Sequence, residues 1–463
     1  METNSTICAI ATSPGNGAIA VIRLSGKNAV SITERLFKSP SGKKLSNQAP
    51  NTIHFGSISF NKKLVDEVLI SLFKAPHSYT GEDVVEISCH GSAFIQQQLL
   101  QALTESGATL AKPGEFTLRA FMNGKMDLSQ AEGVADLIAS ESDAAHKMAI
   151  NQMRGGFSAE IGKLRSQLLN LCSLLELELD FSEEDVEFAD RTQLKRLVKE
   201  ILTVIQHLTD SFSLGNVIKT GVPVAIVGKP NVGKSTLLNT LLQEEKAIVS
   251  EIAGTTRDSI EDVINIKGVR FRFIDTAGIR HTTDAIESLG IERTFNKISL
   301  AAVVLLLAEA VCSKEEILQQ IKELKLSSDQ HLIIIINKID LVNEKEVEER
   351  LGGKQAFGPY PILFLSAKHH LHTDELHEYL LNTVQSETLK SSDVVVSNVR
   401  HYEALKSALE ASERAFNGLE TQVPSDLISQ DIREILYYLG QITGEITTDE
   451  ILGNIFKNFC IGK

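Results

Sequence analysis

The 463-residue chain lacks the features that mark a secreted, disulfide-bonded or membrane-spanning protein. Its five cysteines are an odd number, lie far apart and include no Cys-x-x-Cys pair, which argues against a disulfide framework and a zinc site. Its longest apolar stretch, residues 300–308, is well short of the roughly 20 residues that cross a bilayer. The N-terminus has no basic region followed by a continuous apolar run, so we expect a cytoplasmic protein without a secretory signal.

An excess of positive charge is also missing, because 46 Lys and Arg against 60 Asp and Glu give a formal charge of −14. No overall field attracts nucleic acid, so any RNA contact must use a local basic face or the surface of a partner. What is present is a composition typical of folded globular proteins, with 43% apolar and 23% charged residues. At about 100–200 residues per domain, the length predicts two to four domains.

Hydrophobic patterning divides the chain into four segments. Residues 1–120 mix strand-like runs with Gly and Pro turns, which predicts an N-terminal α/β domain. Residues 121–219 and 383–463 are helical in pattern, whereas residues 220–382 alternate strands and helices, as in a parallel doubly wound sheet. Each helical segment alone would have half a core, so we interpret the α/β unit as an insertion into one helical domain.

Apolar residues at spacings of three, four and five predict which helix faces are buried. The expected stripes are Ile161, Leu164, Leu168, Leu171 and Leu175 on one helix; Leu194, Leu197, Ile201, Val204 and Leu208 on the next; and Leu427, Ile432, Leu436 and Leu439 in the last segment.

A phosphate-binding loop is the first motif that carries chemistry. The strand-like run 222–227 is followed by GKPNVGKST, which fits the pattern G-x-x-x-x-G-K-[ST]. Gly228 and Gly233 allow backbone N–H groups to converge on phosphate oxygens, Lys234 reaches the β and γ oxygens, and the Ser235 hydroxyl is suited to bind Mg²⁺. The motif predicts a nucleotide triphosphate site.

Further residues of the same site follow at the ends of later strands. Asp275 in VRFRFIDTAG can hold magnesium through water, Gly278 can offer a backbone N–H to the γ-phosphate, and Thr256 in GTTRD offers a hydroxyl to the metal.

Guanine recognition is indicated by NKID and SAK, each of which follows a strand. The Asp340 carboxylate can accept two hydrogen bonds from guanine that adenine cannot supply. Asn337 and Lys338 precede it, and the backbone at Ser366, Ala367 and Lys368 can bind the guanine carbonyl. The ordered motifs therefore predict GTP binding.

GTP hydrolysis needs a group that orients the attacking water, and in Ras-like proteins that group is a glutamine. Ile279 stands where those proteins carry the glutamine that orients the attacking water, and Ile279 cannot form hydrogen bonds. Arg257, Arg280, an arginine of a partner or a bound monovalent cation could provide the positive charge that an arginine finger supplies elsewhere.

Several stretches resemble the tRNA-modification GTPase family MnmE, also called TrmE. They are GKPNVGKSTLLN, IVSEIAGTTRD, YTGEDVVEISCHG, KPGEFTLRAFMNGKMDLSQAE and GEITTDEILGNIFKNFCIGK, and the resemblance extends over essentially the whole chain. The resemblance implies an N-terminal α/β tetrahydrofolate-binding domain, an all-α helical domain and an inserted Ras-like P-loop GTPase domain. A departure at residues 305–311, which lack an aspartate that the family often carries, weakens the expectation of an auxiliary contact there.

The family resemblance also implies an activity. It predicts a Mg²⁺- and K⁺-dependent GTPase that dimerises through its N-terminal domain and works with the FAD-containing partner MnmG. Together they would add an aminomethyl or carboxymethylaminomethyl group at carbon 5 of the wobble uridine of certain tRNAs. The one-carbon unit would come from 5,10-methylene- or 5-formyl-tetrahydrofolate.

Individual residues take roles from the same resemblance. Glu287 matches the catalytic glutamate that orients water. Potassium is expected at Asn231, Ser250, Ile252 and Thr255, and folate at Arg23, Glu86, Lys125 and Lys463. With the motifs above, the expected GTP contacts are Asn231, Val232, Gly233, Lys234, Ser235, Thr236, Ser250, Glu251, Ile252, Ala253, Gly254, Thr255, Thr256, Asp275, Thr276, Ala277, Gly278, Asn337, Lys338, Asp340, Ser366, Ala367 and Lys368.

Two other functions fit parts of the sequence. A regulatory or ribosome-assembly GTPase without RNA chemistry would need a basic RNA-binding module, and no G-x-x-G loop with basic flanks is present. A lipid anchor on Cys460 is disfavoured, because Gly462 and Lys463 do not fit a prenylation box. We expect a docked tail instead, in which Ile455, Phe456 and Phe459 hold the last helix and direct Cys460 and Lys463 toward the folate.

Overall fold

The computed structural model describes residues 5–180, 191–246, 262–274, 298, 300–327, 330–353, 356–388, 394–421, 423–457 and 459–462. The chain divides into two compact units, each assembled from separate stretches. The first contains Met1–Ala139, Ala149–Thr203 and Ala404–Lys463, and the second contains Ser140–Met148 and Val204–Glu403. The first unit therefore combines the beginning and the end of the chain.

A mixed sheet forms the N-terminal part of the first unit. Its strands are β1 (Ile7–Ile10), β2 (Ile19–Ser25), β3 (Phe37–Lys38), β4 (Thr52–Phe60), β5 (Lys63–Phe73), β6 (Val84–His90) and β7 (Thr109–Leu110). They lie in the order β3-β4-β5-β6-β2-β1-β7, and neighbours pair antiparallel except β1 and β7, which are parallel.

Helices cover one face of this sheet. The strands alternate, so Ile22, Leu24, Ile70 and Ile87 are buried with residues of α1 (Ala29–Leu36) and α2 (Ala93–Glu105). The opposite face carries a cross-strand row of Arg23, Glu86, Ser71 and Ile53, fixed by the register of β2, β6, β5 and β4. The face of the sheet that the helices leave open therefore carries a pair of oppositely charged side chains, Arg23 and Glu86.

The remaining elements of the first unit are helical, and some of them cross the boundary between the units. They are α3 (Glu115–Met122), α4 (Leu128–Ala139), α5 (Asp143–Met153), α6 (Gly156–Asp180), α7 (Arg191–Asp210), α13 (Val399–Glu420), α14 (Ser425–Thr443) and α15 (Asp449–Lys457).

The stripe predicted for α6 is confirmed, because all of its members are buried. On α7, the predicted members Leu194, Ile201 and Leu208 are buried. The prediction is wrong at Leu197 and Val204, because the next residues, Val198 and Ile205, are buried instead. On α14, Leu427 is exposed and Ile428 is buried instead. Adjacent apolar residues fit the helical period equally well, and packing against neighbours decides between them.

The second unit contains the parallel sheet that the alternating pattern predicts. Its strands are β8 (Val222–Val227), β9 (Asp262–Ile266), β10 (Val269–Phe273), β11 (Val303–Glu309), β12 (His331–Asn337) and β13 (Ile362–Phe364). The order is β13-β12-β11-β8-β10-β9, with only the β9–β10 pair antiparallel among the described strands.

Helices of the second unit pack against this sheet, and the central strands are buried on both faces, as parallel strands usually are. They are α8 (Phe212–Thr220), α9 (Lys234–Lys246), α10 (Lys314–Glu323), α11 (Glu344–Leu351) and α12 (Thr373–Thr388). In the described part of the chain, no helix has the length and apolarity that crossing a membrane requires.

Candidate functional site

The loop between β8 and α9 has a backbone that only glycine can adopt at two positions. Gly228 has φ +147°, and a Cβ there would lie 2.3 Å from the Leu307 carbonyl oxygen. Gly233 has φ +101°, and its Cβ would lie 2.3 Å from Asn337 Nδ2. The two glycines of the motif therefore let the loop approach the ends of β11 and β12 closely.

Lys234 is held by the loop itself. Its Nζ donates to the carbonyl oxygens of Gly228 and Lys229, each at 2.8 Å. Ser235 and Thr236 follow it in the first turn of α9. An ammonium group and a hydroxyl are thus placed where the loop enters the helix, whose N-terminus favours bound anions.

Asn337 connects three of the predicted motifs. Its Nδ2 donates to the Val232 carbonyl oxygen at 2.8 Å, and its Oδ1 accepts from the Ala367 backbone N–H at 3.0 Å. The Thr240 hydroxyl of α9 donates to the Ala367 carbonyl oxygen at 2.7 Å. Asn337 is only 3% exposed, so these hydrogen bonds are shielded from water. The phosphate loop and the SAK segment are therefore fixed relative to each other.

Asp340 is prepared to act as an ionised acceptor. The Ser366 hydroxyl donates to its Oδ1 at 2.5 Å, and this hydrogen bond is the main reason that the pKa of Asp340 is lowered. Nearby His369 and Lys368 act in the same direction. A carboxylate that stays charged below its usual pKa suits the paired donors of guanine.

Lys338 bridges the phosphate loop and a carboxylate that the sequence analysis did not select. Its Nζ donates to the Asn231 carbonyl oxygen at 2.7 Å and to Glu309 Oε1 at 2.5 Å. Glu309 ends β11 and pairs in register with Asn337. An acidic residue at the end of the neighbouring strand was the signal that could have identified it.

The first unit contains a second polar site on the open face of its sheet. Arg23 Nε and Nη2 each lie 2.9 Å from Glu86 Oε1, its cross-strand partner. The guanidinium lies 5.5 Å from the Tyr79 ring centroid and 5.7 Å from that of Phe116. Both side chains keep some exposure, 16% for Arg23 and 26% for Glu86. Tyr79 and Phe116 were not predicted, because nothing local in the sequence places them beside Arg23.

The C-terminal tail reaches this second site. The Gly462 carbonyl oxygen accepts from Arg23 Nη1 at 3.2 Å. Gly462 has φ +94°, and a Cβ there would lie 2.2 Å from the Ile10 carbonyl oxygen. Phe456 is buried, and Ile455 and Phe459 pack against the same apolar cluster, as the docked-tail interpretation expects.

The contacts of Lys125 are to a loop and do not include Arg23 or Glu86. Its Nζ donates to the Pro76 carbonyl oxygen at 3.1 Å, and its side chain borders Gly81. Cys460 is exposed, and its carbonyl oxygen accepts from the Gly114 N–H at 3.4 Å.

Comparison with known families decides between the functions that these two sites allow. The family model described as GTP-binding protein TrmE N-terminus matches residues 6–125, and the model of the MnmE helical domain matches residues 128–460. A protein of Bacteroides fragilis named tRNA modification GTPase MnmE is 56% identical over 462 residues, 99% of each chain. A Flavobacterium johnsoniae protein of the same name is 54% identical over 470 residues, 100% of each. The chain belongs to the MnmE family of tRNA modification GTPases.

A solved structure, the G domain of the T. maritima FeoB iron transporter, is 24% identical and covers 35% of this chain and 99% of its own, with a TM-score of 0.25. That score is too low to support an argument. Membership of the MnmE family instead confirms the resemblance, the multidomain fold class and the GTPase activity.

Several predicted site residues of the MnmE family lie outside the described residues. They are the catalytic candidate Glu287, the folate candidate Lys463, and the nucleotide or metal candidates Ser250, Glu251, Ile252, Ala253, Gly254, Thr255, Thr256, Asp275, Thr276, Ala277 and Gly278. Their roles stay predictions.

Proposed function

We propose that this chain hydrolyses GTP in order to modify carbon 5 of the wobble uridine of certain tRNAs. The GTP part of the proposal is supported most directly by the joining of the phosphate loop, NKID and SAK through the buried Asn337 side chain, and the tRNA part by membership of the MnmE family. A site of this kind suits guanine nucleotides because hydrogen bonds within the protein hold the Asp340 carboxylate and the Lys234 ammonium group in place before the ligand arrives.

Roles in nucleotide binding follow from these contacts. Lys234 would exchange its loop carbonyl partners for phosphate oxygens, and Asp340 would accept from guanine. The Ser235 hydroxyl, one residue after Lys234 in α9, fits a Mg²⁺ ligand, with Thr256 as a second. Magnesium would neutralise phosphate charge during hydrolysis.

Potassium would use Asn231 with Ser250, Ile252 and Thr255. The Asn231 carbonyl oxygen already accepts from Lys338, so its carboxamide oxygen is the group that fits a hard cation. Glu287 would orient the attacking water, since Ile279 cannot.

For the one-carbon unit, the second site fits a tetrahydrofolate. Glu86 can accept paired hydrogen bonds from a pterin ring, and Arg23, Lys125 and Lys463 can meet the carboxylates of the glutamate tail. The partly exposed Tyr79 ring beside Arg23 adds aromatic surface. Bound folate would supply a one-carbon unit, which these residues would orient.

Partner contacts complete the proposal. Ile53, Phe55 and Leu69 are 67%, 53% and 45% exposed on the same sheet face as Arg23 and Glu86. A second copy of this chain would cover them, giving a homodimer through the N-terminal domain. The FAD-containing MnmG and tRNA would be the other partners, and the activity would be cytoplasmic.

Nucleoside mass spectrometry of tRNA from a deletion strain tests the function. Full-length protein should restore the modified wobble uridine. Glu287→Ala should keep GTP affinity but lose turnover and modification, and removal of residues 460–463 should lose modification while GTP turnover stays normal. Unmodified tRNA in the strain that carries the wild-type gene would refute the proposal.

A further inference from the structure

A cavity of about 640 Å³ lies in the first unit, apart from both sites described above. It is bordered by α3 and the segment before it, by β7 at the end of the sheet, and by α15. Its volume is in the range of about 300–1,000 Å³ that holds drug-sized molecules. Arg23, Glu86 and Lys125 do not line it.

Helix α3 separates the cavity from the Arg23–Glu86 site. Phe116 is fully buried and lies beside the Arg23 guanidinium. Glu115, Leu118, Arg119 and Met122, which share one face of the helix at spacings of three and four, line the cavity. The two sites therefore use different faces of one helix.

The lining combines an apolar floor with a positive charge. Leu110 and Met122 are 62% and 55% exposed and supply apolar surface from β7 and α3, and the nearly buried Leu452 and Phe456 of α15 lie below them. Three cationic side chains and one carboxylate also line the cavity, so the lining has a formal charge of +2 in a chain whose net charge is −14. Such a local reversal of sign attracts anions.

Two of the cations are available to a ligand. Arg119 is only 5% exposed and bonds to Glu82, Glu115 and the Ser5 carbonyl oxygen. Glu115 also accepts from the Lys112 N–H, so its negative charge is compensated. The ammonium groups of Lys112 and Lys457 have no carboxylate within ion-pair distance among the residues that the structure describes.

We propose that this cavity binds a small amphipathic anion. Its aromatic or aliphatic body would pack on Leu110, Leu118 and Met122, and its carboxylate, sulfonate or phosphate would lie between Lys112 and Lys457. Burial of the apolar body supplies most of the affinity, and the two lysines select for negative charge.

Gly453 provides a direct way to fill the cavity. It lines the cavity from within α15, and a Cβ at this position meets nothing within 4 Å. Gly453→Phe should therefore fold normally, since replacing a helical glycine also improves helix propensity. Gly162→Phe is the matched control, because Gly162 lies in α6, away from the cavity, and its Cβ also meets nothing within 4 Å.

The full-length protein is titrated with anilinonaphthalene sulfonate, an aromatic anion that fluoresces on binding. We expect saturable binding to wild type and to Gly162→Phe, and loss of that phase in Gly453→Phe with an unchanged circular dichroism melt. Equal saturable binding in Gly453→Phe would overturn the proposal, and so would loss of binding in Gly162→Phe.

Charge is tested separately. Lys112→Glu with Lys457→Glu should weaken the sulfonate about 2- to 30-fold, as expected for two partly exposed ion pairs. The pair Lys27→Glu with Lys43→Glu changes the net charge equally at exposed positions outside the cavity and should leave affinity unchanged. The affinity for the uncharged N-phenylnaphthylamine should fall in Gly453→Phe and should not change in the lysine variants. Equal effects of the two lysine pairs would show general charge attraction and contradict the proposed role of Lys112 and Lys457.

Discussion

The nucleotide site and the Arg23–Glu86 site are assembled in opposite ways. At the nucleotide site, each functional residue follows a strand and belongs to a short motif, and Asn337 joins the motifs through hydrogen bonds. At the other site, Arg23 is joined to Glu86 across a sheet and to Gly462 from the end of the chain, 439 positions away. The residues of the nucleotide site can be recognised in short sequence motifs, whereas those of the Arg23–Glu86 site are far apart in sequence and are brought together only by folding.

This difference predicts how each site fails. A nucleotide site held by buried hydrogen bonds should lose ligand affinity when a contacting group changes, while its shape persists. A site formed by a docked tail should fail when the tail can no longer approach, even if Arg23 and Glu86 are intact. Variants of the two sites test this contrast.

The largest effect is expected for Asp340→Asn. Losing a charged acceptor for two hydrogen bonds should weaken GTP binding by about 100-fold or more. Xanthosine triphosphate should bind better than GTP, since its C2 carbonyl can accept from the new amide. Isothermal titration with both nucleotides measures this, with Asp374→Asn, an exposed residue of α12, as control. Unchanged GTP affinity would remove Asp340 from guanine recognition.

Arg23→Ala should have the next largest effect, confined to the N-terminal site. Loss of its contacts to Glu86 and Gly462 should weaken tetrahydrofolate binding by about tenfold or more, as for a hydrogen bond to a charged group. Arg23→Lys should rescue only part of the affinity, because lysine lacks the planar fork. GTP affinity, measured on the same samples, should not change; a parallel loss would mean a folding defect.

Gly462→Ala tests the tail without touching a functional side chain. The new Cβ would collide with the Ile10 carbonyl oxygen, so the tail should detach and become open to carboxypeptidase. Gly42→Ala is the matched control, because Gly42 also has positive φ but its Cβ would meet nothing within 4 Å. Both changes carry about 1–2 kcal/mol of backbone strain, so only the collision differs. Equal protease resistance of Gly462→Ala and wild type would contradict tail docking.

The smallest effect is expected for Glu309→Gln. The Glu309–Lys338 pair is about one-third exposed on both sides, so its loss should weaken GTP binding by only about two- to fivefold. Turnover at saturating GTP should be unchanged, and the difference in affinity should shrink in high salt, because exposed ion pairs are screened. Glu309→Asp should recover part of the affinity. A lowered kcat would instead assign Glu309 to hydrolysis.

The buried faces of the helices could be predicted from the sequence for α6 but only in part for α7 and α14. The stripe of α6 was predicted correctly because its apolar residues are flanked mostly by polar ones at the alternative positions. In α7 and α14, apolar neighbours such as Leu197 and Val198, or Leu427 and Ile428, fit the period equally well. Only the helices packed against them select the buried member.

The sequence by itself determined the nucleotide motifs and the parallel sheet, because each depends on spacing within a few residues of a strand. The resemblance to the family was also visible in the sequence, in stretches along the whole chain. Tertiary structure alone decided that Tyr79, Phe116 and Gly462 surround Arg23, that Glu309 holds Lys338, and that α3, β7 and α15 border one cavity. These groups are distant in sequence, and sheet register, backbone collisions and helix packing bring them together only in the folded chain.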